Sequence, residues 1–287
     1  MYYQYDTGNS INQFDHLAGL ALFRKQVGER IKWSVNLAGT YRDYTDAITN
    51  YDNYKLYASG NLTYYIAGGA QANLNYQLKQ MQYVDFDNLN HLEHRLSMFL
   101  SKTLPSRTTI KGSLEYSSRN FDIDNSNVDW FDLELKLSQS IDIRTGVAGS
   151  GMVRFAGSGT RPLSSYYIIS GVTSYWDPWD GYQLNLFGKR ILPQGIIGVA
   201  NFYYWHRQFD YTDTQTDELP WLSPTGKRID DGQQVEVELT RQINLNGKFS
   251  RALRIGLVGG YLANDSDDPY YDYNYYYMNV SLKLEIR

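Results

Sequence analysis

Histidine is the residue type best suited to catalysis or metal binding in this sequence, and it occurs only at His16, His91, His94 and His206. His91 and His94 lie three residues apart in a segment with a strand pattern, so their side chains should point to opposite faces and cannot readily share a metal. No serine, histidine and carboxylate have a spacing that would bring them together. We therefore predict that the protein is not an enzyme and holds no metal or cofactor.

Two polar connections could also carry chemistry. One contains Asp265, Asp267, Asp268 and Asp272, which could attract calcium but lack the glycine and distal glutamate of a calcium-binding hand. The other runs from 211 to 231. It holds Pro220, Trp221 and Leu222, which could fold inward as a constriction or belong to a solvated external loop.

Charged side chains of both signs occupy every second position of several long segments whose intervening positions are apolar. Leu133, Leu135 and Leu137, for example, alternate with Glu134 and Lys136. Since successive side chains of a strand point to opposite faces, each segment should have one apolar and one polar face. The polar positions are candidates for lining an aqueous lumen, either as a selective wall or as a lattice that only stabilises it. They are Lys32, Arg42, Lys55, Lys79, Glu93, Arg95, Lys111, Glu115, Arg119, Asp132, Glu134, Lys136, Glu236 and Glu238.

The elements that carry these positions read as long strands, beginning near residues 14, 31, 54, 71, 91, 108, 130, 146, 165, 182, 196, 233, 250 and 273. Each alternating stretch covers about ten residues or more, which is the length that a tilted strand needs to cross a bilayer. Short turns alternate with longer polar connections, as is typical of outer-membrane barrels. We expect one domain over 1–287, an all-β closed antiparallel up-and-down transmembrane β-barrel of about fourteen strands, within a range of about 12 to 16.

The turn pattern leaves one conflict in this count. Read forward, the turn at 27–30 belongs to the periplasmic side, and Met1 to Thr7 would be part of an ascending strand. Read backward from the long connections, 192–195 is periplasmic. The two assignments disagree between Gly146 and Ile191. Either one crossing there is missed or superfluous, or Met1 to Thr7 is not a strand.

Composition excludes several other classes of protein. No window approaches the roughly 18 apolar residues of a membrane-spanning helix. The mean hydropathy of −0.50 still suits a barrel, because only alternate residues meet lipid. The chain has no cysteine, so disulfides and thiolate metal sites are absent. A net charge of −4 offers no surface for a phosphate backbone, and nucleic acid is not an expected partner.

Aromatic residues lie near the ends of the apolar sets and predict girdles at the two membrane interfaces, where amphipathic rings are favoured. The candidates are Trp33, Tyr41, Tyr54, Tyr64, Tyr76, Tyr116, Trp176, Tyr182 and Tyr261.

The last segment, 275–287, has apolar residues at 280, 282, 284 and 286 and resembles the terminal strand by which barrel-assembly machinery recognises outer-membrane proteins. In strand number and tyrosine content the chain resembles porin-like barrels and the barrels that follow tetratricopeptide-repeat domains in Gram-negative exporters. The resemblance implies an integral protein of the Gram-negative outer membrane, in contact with outer-membrane lipid, lipopolysaccharide and the assembly machinery. It also implies an export signal, or a periplasmic domain, upstream of Met1.

Three functions remain open at this point. The first is a porin-like channel for transport of small polar solutes. The second is the barrel of an export or assembly system for a polysaccharide or a surface lipoprotein, with a periplasmic or secreted protein as partner. The third is a soluble β-protein that binds carbohydrate through exposed tyrosines.

Overall fold

The computed structural model describes residues 12–45, 52–84, 90–122, 127–156, 179–210, 227–245, 250–267 and 271–286. In them, thirteen strands form a single sheet. The strands are β1 Asn12–Val27, β2 Ile31–Thr45, β3 Asn53–Ile66, β4 Ala70–Tyr83, β5 His91–Thr103, β6 Thr108–Phe121, β7 Asn127–Ser140, β8 Thr145–Ala156, β9 Trp179–Ile191, β10 Ile196–Asp210, β11 Lys227–Asn244, β12 Ser250–Ser266 and β13 Tyr273–Ile286. No helix within these residues has both the length and the apolar character needed to cross a membrane.

Each strand pairs antiparallel with its neighbours in sequence, so the order in space is the order in the chain. The register preserves the alternation seen in the sequence. On β3, Tyr54 lies opposite Tyr41 of β2, and the next residue, Lys55, lies opposite Thr40. Because a shift of one residue would exchange the two faces, this register aligns apolar with apolar positions across the sheet. The predicted all-β, up-and-down antiparallel architecture is confirmed.

The sheet has two different ends. At the short-turn end, consecutive strands are joined by three to five residues, for example 67–69 between β3 and β4. That turn contains Gly68 and Gly69 at φ of 78° and 77°, a left-handed conformation that favours glycine. At the long-connection end the joining segments have five or more residues and reach 157–178 between β8 and β9.

The described strands number thirteen, whereas the sequence predicted about fourteen, and the difference arises between β8 and β9. These two strands pair directly, from Thr145 opposite Arg190 to Arg154 opposite Gly181. The crossing predicted to begin near residue 165 lies outside the described residues, and no described strand separates β8 from β9. Without that crossing, the turns at 141–144 and 192–195 fall at the same end, which removes the conflict in the turn pattern.

β1 and β13 are the edge strands of the described sheet, and each pairs with a single described neighbour. Both run from the long-connection end to the short-turn end. Direct pairing between them would therefore be parallel, and an antiparallel closure would need one more strand. The predicted strand at Met1 to Thr7 lies outside the described residues, and the described sheet is not closed.

Two strands are longer than the sequence predicted. β11 begins at Lys227, so the connection expected over 211–231 is shorter, and β12 continues to Ser266 into the expected aspartate loop. The alternation persists through polar residues there: Arg228 and Asp230 are buried, while Ile229 between them is exposed. The sequence did not predict these longer strands because their additional residues are polar.

Burial is inverted relative to a water-soluble sheet. Large apolar side chains along one face are exposed, among them Leu56 at 57% and Leu135 at 55%. On the other face, charged side chains such as Glu93 and Asp132 are buried. We call these the apolar face and the polar face. In a protein dissolved in water, the larger share of burial would fall to the apolar set.

Candidate functional site

All fourteen residues predicted to line a lumen lie on the polar face, because their positions in the register share one parity from β2 to β11. The same register adds basic residues that sequence reasoning did not select. These are Arg24, Arg154, Lys189, Arg207, Arg228, Arg254 and Lys283.

A cluster of charged side chains surrounds Glu93 near the centre of the polar face, towards the long-connection end. Its carboxylate lies 2.6 Å from Lys79 Nζ, 3.1 Å from Arg95 Nη2 and 2.9 Å from Arg119 Nη2. Arg95 also reaches Glu115 at 3.4 Å. Since Glu93 is only 4% exposed, three cations surround a carboxylate that water reaches poorly. Sequence reasoning had selected every member of this cluster without predicting the contacts.

A second ion pair lies two strands further along. Arg154 on β8 binds Asp132 on β7 through two parallel hydrogen bonds, from Nε and Nη2, each 2.7 Å long. Asp132 in turn lies opposite Glu115 of β6 in the register. The bidentate geometry is the strongest form of arginine–carboxylate pairing.

Arginines and aromatic rings alternate along the polar face near the long-connection end. Arg119 lies over Trp130 with its guanidinium carbon 5.4 Å from the ring centroid. Arg154 lies between Trp130 and Trp179, at 5.7 Å and 4.5 Å. Arg207 lies 5.1 Å from Trp179. These cation–π contacts hold the guanidinium planes against rings rather than free in solution.

The alternation continues on β11, where the Arg228 guanidinium lies 3.8 Å from the Phe209 ring and 3.6 Å from Tyr271. Arg228 Nε is 3.2 Å from Asp230. Of the arginines in these contacts, sequence reasoning had selected only Arg119. Trp179 and Arg228 lie before the strand starts predicted near residues 182 and 233, although the alternation of β9 and β11 continues to both.

Amides and hydroxyls fill the polar face between β2 and β4, where few charges occur. Asn36 donates to Ser59 at 3.0 Å, and Asn73 donates to Asn61 at 3.0 Å and to Thr63 at 2.9 Å. These bonds cross from strand to strand, so the wall is held by a hydrogen-bonded lattice as well as by ion pairs.

The last acidic candidates, Glu236 and Glu238, lie on β11. Glu236 accepts hydrogen bonds from the Tyr277 hydroxyl at 2.8 Å and from Asn201 Nδ2 at 3.4 Å. Glu238 accepts from Thr240 at 2.6 Å. Neither forms an ion pair among the described residues, in contrast to Glu93 and Asp132.

Eight of the nine girdle candidates lie on the apolar face by register, and Trp176 lies outside the described residues. Tyr41 and Tyr54 contact each other near the long-connection end, with ring centroids 4.8 Å apart. Tyr76 differs from this pattern because it lies in the middle of β4, where its hydroxyl is 2.7 Å from His94 Nδ1.

Histidine and aspartate groups give no metal cluster among the described residues. His91 is buried on the polar face, and His94 lies on the apolar face, as their spacing predicted. His206 Nδ1 is 2.9 Å from Asp231, whose same oxygen accepts from the Tyr204 hydroxyl at 3.1 Å. The constriction candidates Pro220, Trp221 and Leu222 lie outside the described residues.

The buried charged residues of the polar face lie beside opposite charges, as Glu93, Asp132 and Arg228 illustrate. The chain matches no protein-family model, and no curated protein is similar to it.

Proposed function

We propose that the sheet closes into a transmembrane β-barrel of the Gram-negative outer membrane and that its polar face lines a water-filled channel for small polar solutes. The observation that carries this proposal is the inverted burial: the apolar face is exposed along strand after strand, and the charged face is shielded. A transmembrane barrel has this distribution, with apolar side chains towards lipid and polar side chains inside.

The length of the strands supports the same proposal. The described strands have 12 to 18 residues, more than the roughly nine to eleven that a tilted strand needs to cross the hydrocarbon core. Strands that extend beyond the hydrocarbon would carry the long connections outward on one side. Outer-membrane lipid, lipopolysaccharide and the barrel-assembly machinery are the partners that this location implies.

Barrel size argues for an open interior. About eight strands leave an interior that side chains can fill, whereas about sixteen leave an aqueous channel. Thirteen described strands fall between these limits, on the side of the larger barrels. The inverted burial disfavours a soluble carbohydrate-binding sheet. The export or assembly barrel stays a prediction.

The decisive experiment is conductance of the purified, folded chain in planar lipid bilayers. Folding is checked first by heat-modifiable gel mobility in detergent. We expect discrete channel openings with the folded chain and none with the heat-unfolded chain. A folded protein that never conducts would overturn the channel.

A pair of neighbouring substitutions on β5 tests which face conducts. Ser97 lies on the polar face and Met98 on the apolar face, where it is half exposed. Ser97→Trp should lower the single-channel conductance, because the ring enters the water-filled space. Met98→Trp adds the same ring towards lipid and should leave the conductance unchanged. Equal effects of both variants would contradict the facing.

A further inference from the structure

Basic residues outnumber acidic residues on the polar face, although the chain as a whole is acidic. The register places fifteen of the 27 lysines and arginines on the polar face, but only seven of the 31 aspartates and glutamates. These numbers include only residues whose side chains the structure describes. Among these described side chains, the polar face therefore carries a net positive charge.

At the short-turn end, the polar face carries a group of basic residues that we call the basic ring. Its members are Arg24, Lys32, Lys111, Lys136, Lys189, Arg254 and Lys283. None of them forms a salt bridge with a described carboxylate, whereas the ion pairs around Glu93, Asp132 and Asp230 all lie nearer the long-connection end.

Two pairs within the basic ring place like charges directly opposite each other. Lys111 of β6 faces Lys136 of β7, and Arg254 of β12 faces Lys283 of β13. Side chains opposite each other in an antiparallel pair are about 5 Å apart at Cβ, and like charges there destabilise the sheet. That separation is shorter than the screening length of about 8 Å at physiological salt, so the two potentials add.

No described carboxylate forms a salt bridge with Lys111 or Lys136. Glu134, two residues before Lys136, accepts a hydrogen bond from Ser113 at 3.3 Å. Asp142, in the adjoining turn, accepts from the Arg144 amide at 2.5 Å. Lys111 Nζ instead lies 4.3 Å from the centre of the Phe99 ring, which holds the ammonium group on the polar face without cancelling its charge.

A charge lattice that served only stability would pair these groups, as Glu93, Asp132 and Asp230 pair with cations at the other end. We propose that the basic ring makes the channel select anions: small inorganic anions and small organic carboxylates or phosphates would enter at the short-turn end and be favoured over cations. This inference rests on the proposed channel. Rings of lysine and arginine select anions in pores because they lower the electrostatic barrier for negative solutes.

The test is the reversal potential of the purified channel in asymmetric potassium chloride. We expect a potential of the sign that marks chloride preference, decreasing in magnitude as total salt is raised, because screening weakens the ring. A reversal potential of the opposite sign, which indicates potassium preference, would overturn the inference. This outcome is measured on the unaltered chain and needs no variant.

A triple variant, Lys111→Gln with Lys136→Gln and Lys189→Gln, should shift the reversal potential towards the potassium value. The matched control is Lys102→Gln with Arg190→Gln and Arg241→Gln, which removes three positive charges at the same end of the sheet but on the apolar face. Its potential should equal that of the unaltered chain. Equal shifts, or no shift in the first variant, would overturn the role of the ring.

Failure of the channel and failure of the inference give different results. Folded protein without any conductance removes the channel and the selectivity with it. Conductance with no preference, or with a preference for cations, leaves the channel and removes the anion selectivity. Heat-modifiable mobility of both triple variants establishes that they are folded before the potentials are compared.

Discussion

The indole ring of Trp205 on β10 lies directly over Gly232 on β11. A Cβ atom added to Gly232 would be only 1.9 Å from the Trp205 ring, so no other residue fits beneath the indole. The indole Nε1 then donates to Asn264 on β12 at 2.9 Å. The Trp205 side chain therefore extends from β10 across β11 to β12, and it can do so only because a glycine lies beneath the ring. An aromatic ring that covers a glycine of the neighbouring strand fixes the register of the two strands.

Gly232→Ala should destabilise the protein by about 1 to 3 kcal/mol, because the added methyl group must displace the Trp205 ring and break its bond to Asn264. Denaturant unfolding in lipid vesicles, followed by tryptophan fluorescence, measures the loss. Gly60→Ala is the control, since a Cβ there meets no atom within 4 Å. Comparable losses in both variants would contradict the crossing.

Glu93→Gln should cost about 3 to 5 kcal/mol, because it leaves Lys79, Arg95 and Arg119 crowded in a shielded part of the wall without their shared anion. Glu134→Gln provides the comparison. Its carboxylate accepts a hydrogen bond from Ser113 and forms no ion pair among the described residues, so the expected loss is about 1 kcal/mol. Equal shifts of the unfolding midpoints of the two variants in vesicles would contradict the role of Glu93 as the shared anion.

Tyr76→Phe should cost about 1 kcal/mol, because the hydroxyl is a hydrogen-bond partner of His94 in the middle of the apolar face. If the apolar face meets lipid, as proposed, no water would replace the hydroxyl as a partner of His94. The unfolding free energy in vesicles is compared with that of Tyr116→Phe. Tyr116 lies on the same face and its hydroxyl has no hydrogen-bond partner among the described residues. A loss as large for Tyr116→Phe would show that ring polarity, rather than this bond, is responsible.

The sequence predicted which face each residue occupies far better than it predicted which residues touch. Alternation alone assigned Lys79, Glu93 and Arg119 to one face, because strand geometry fixes that parity. Their mutual contacts depend on the register between neighbouring strands, which turn lengths and cross-strand packing determine and which one strand's pattern does not contain. Arg228 was missed for a different reason: β11 continues into a polar stretch where no apolar run marks the strand.

Leu135→Arg should destabilise the protein by about 2 to 4 kcal/mol in vesicles, the cost of an arginine on the lipid face near the midplane of a barrel. Leu135 is more than half exposed on the apolar face of β7, and its neighbour Lys136 lies on the polar face. Lys136→Gln should therefore cost much less, since the changed side chain stays on the polar face, loses no ion partner and lies opposite Lys111. In a soluble sheet, by contrast, Leu135→Arg would place an arginine on a face exposed to water. The protein would tolerate that substitution, and its solubility would improve. Unfolding titrations of both variants in vesicles therefore test the orientation of the whole sheet. Heat-modifiable mobility gives the folded fraction of each variant. Equal loss of stability at the two positions would contradict the orientation.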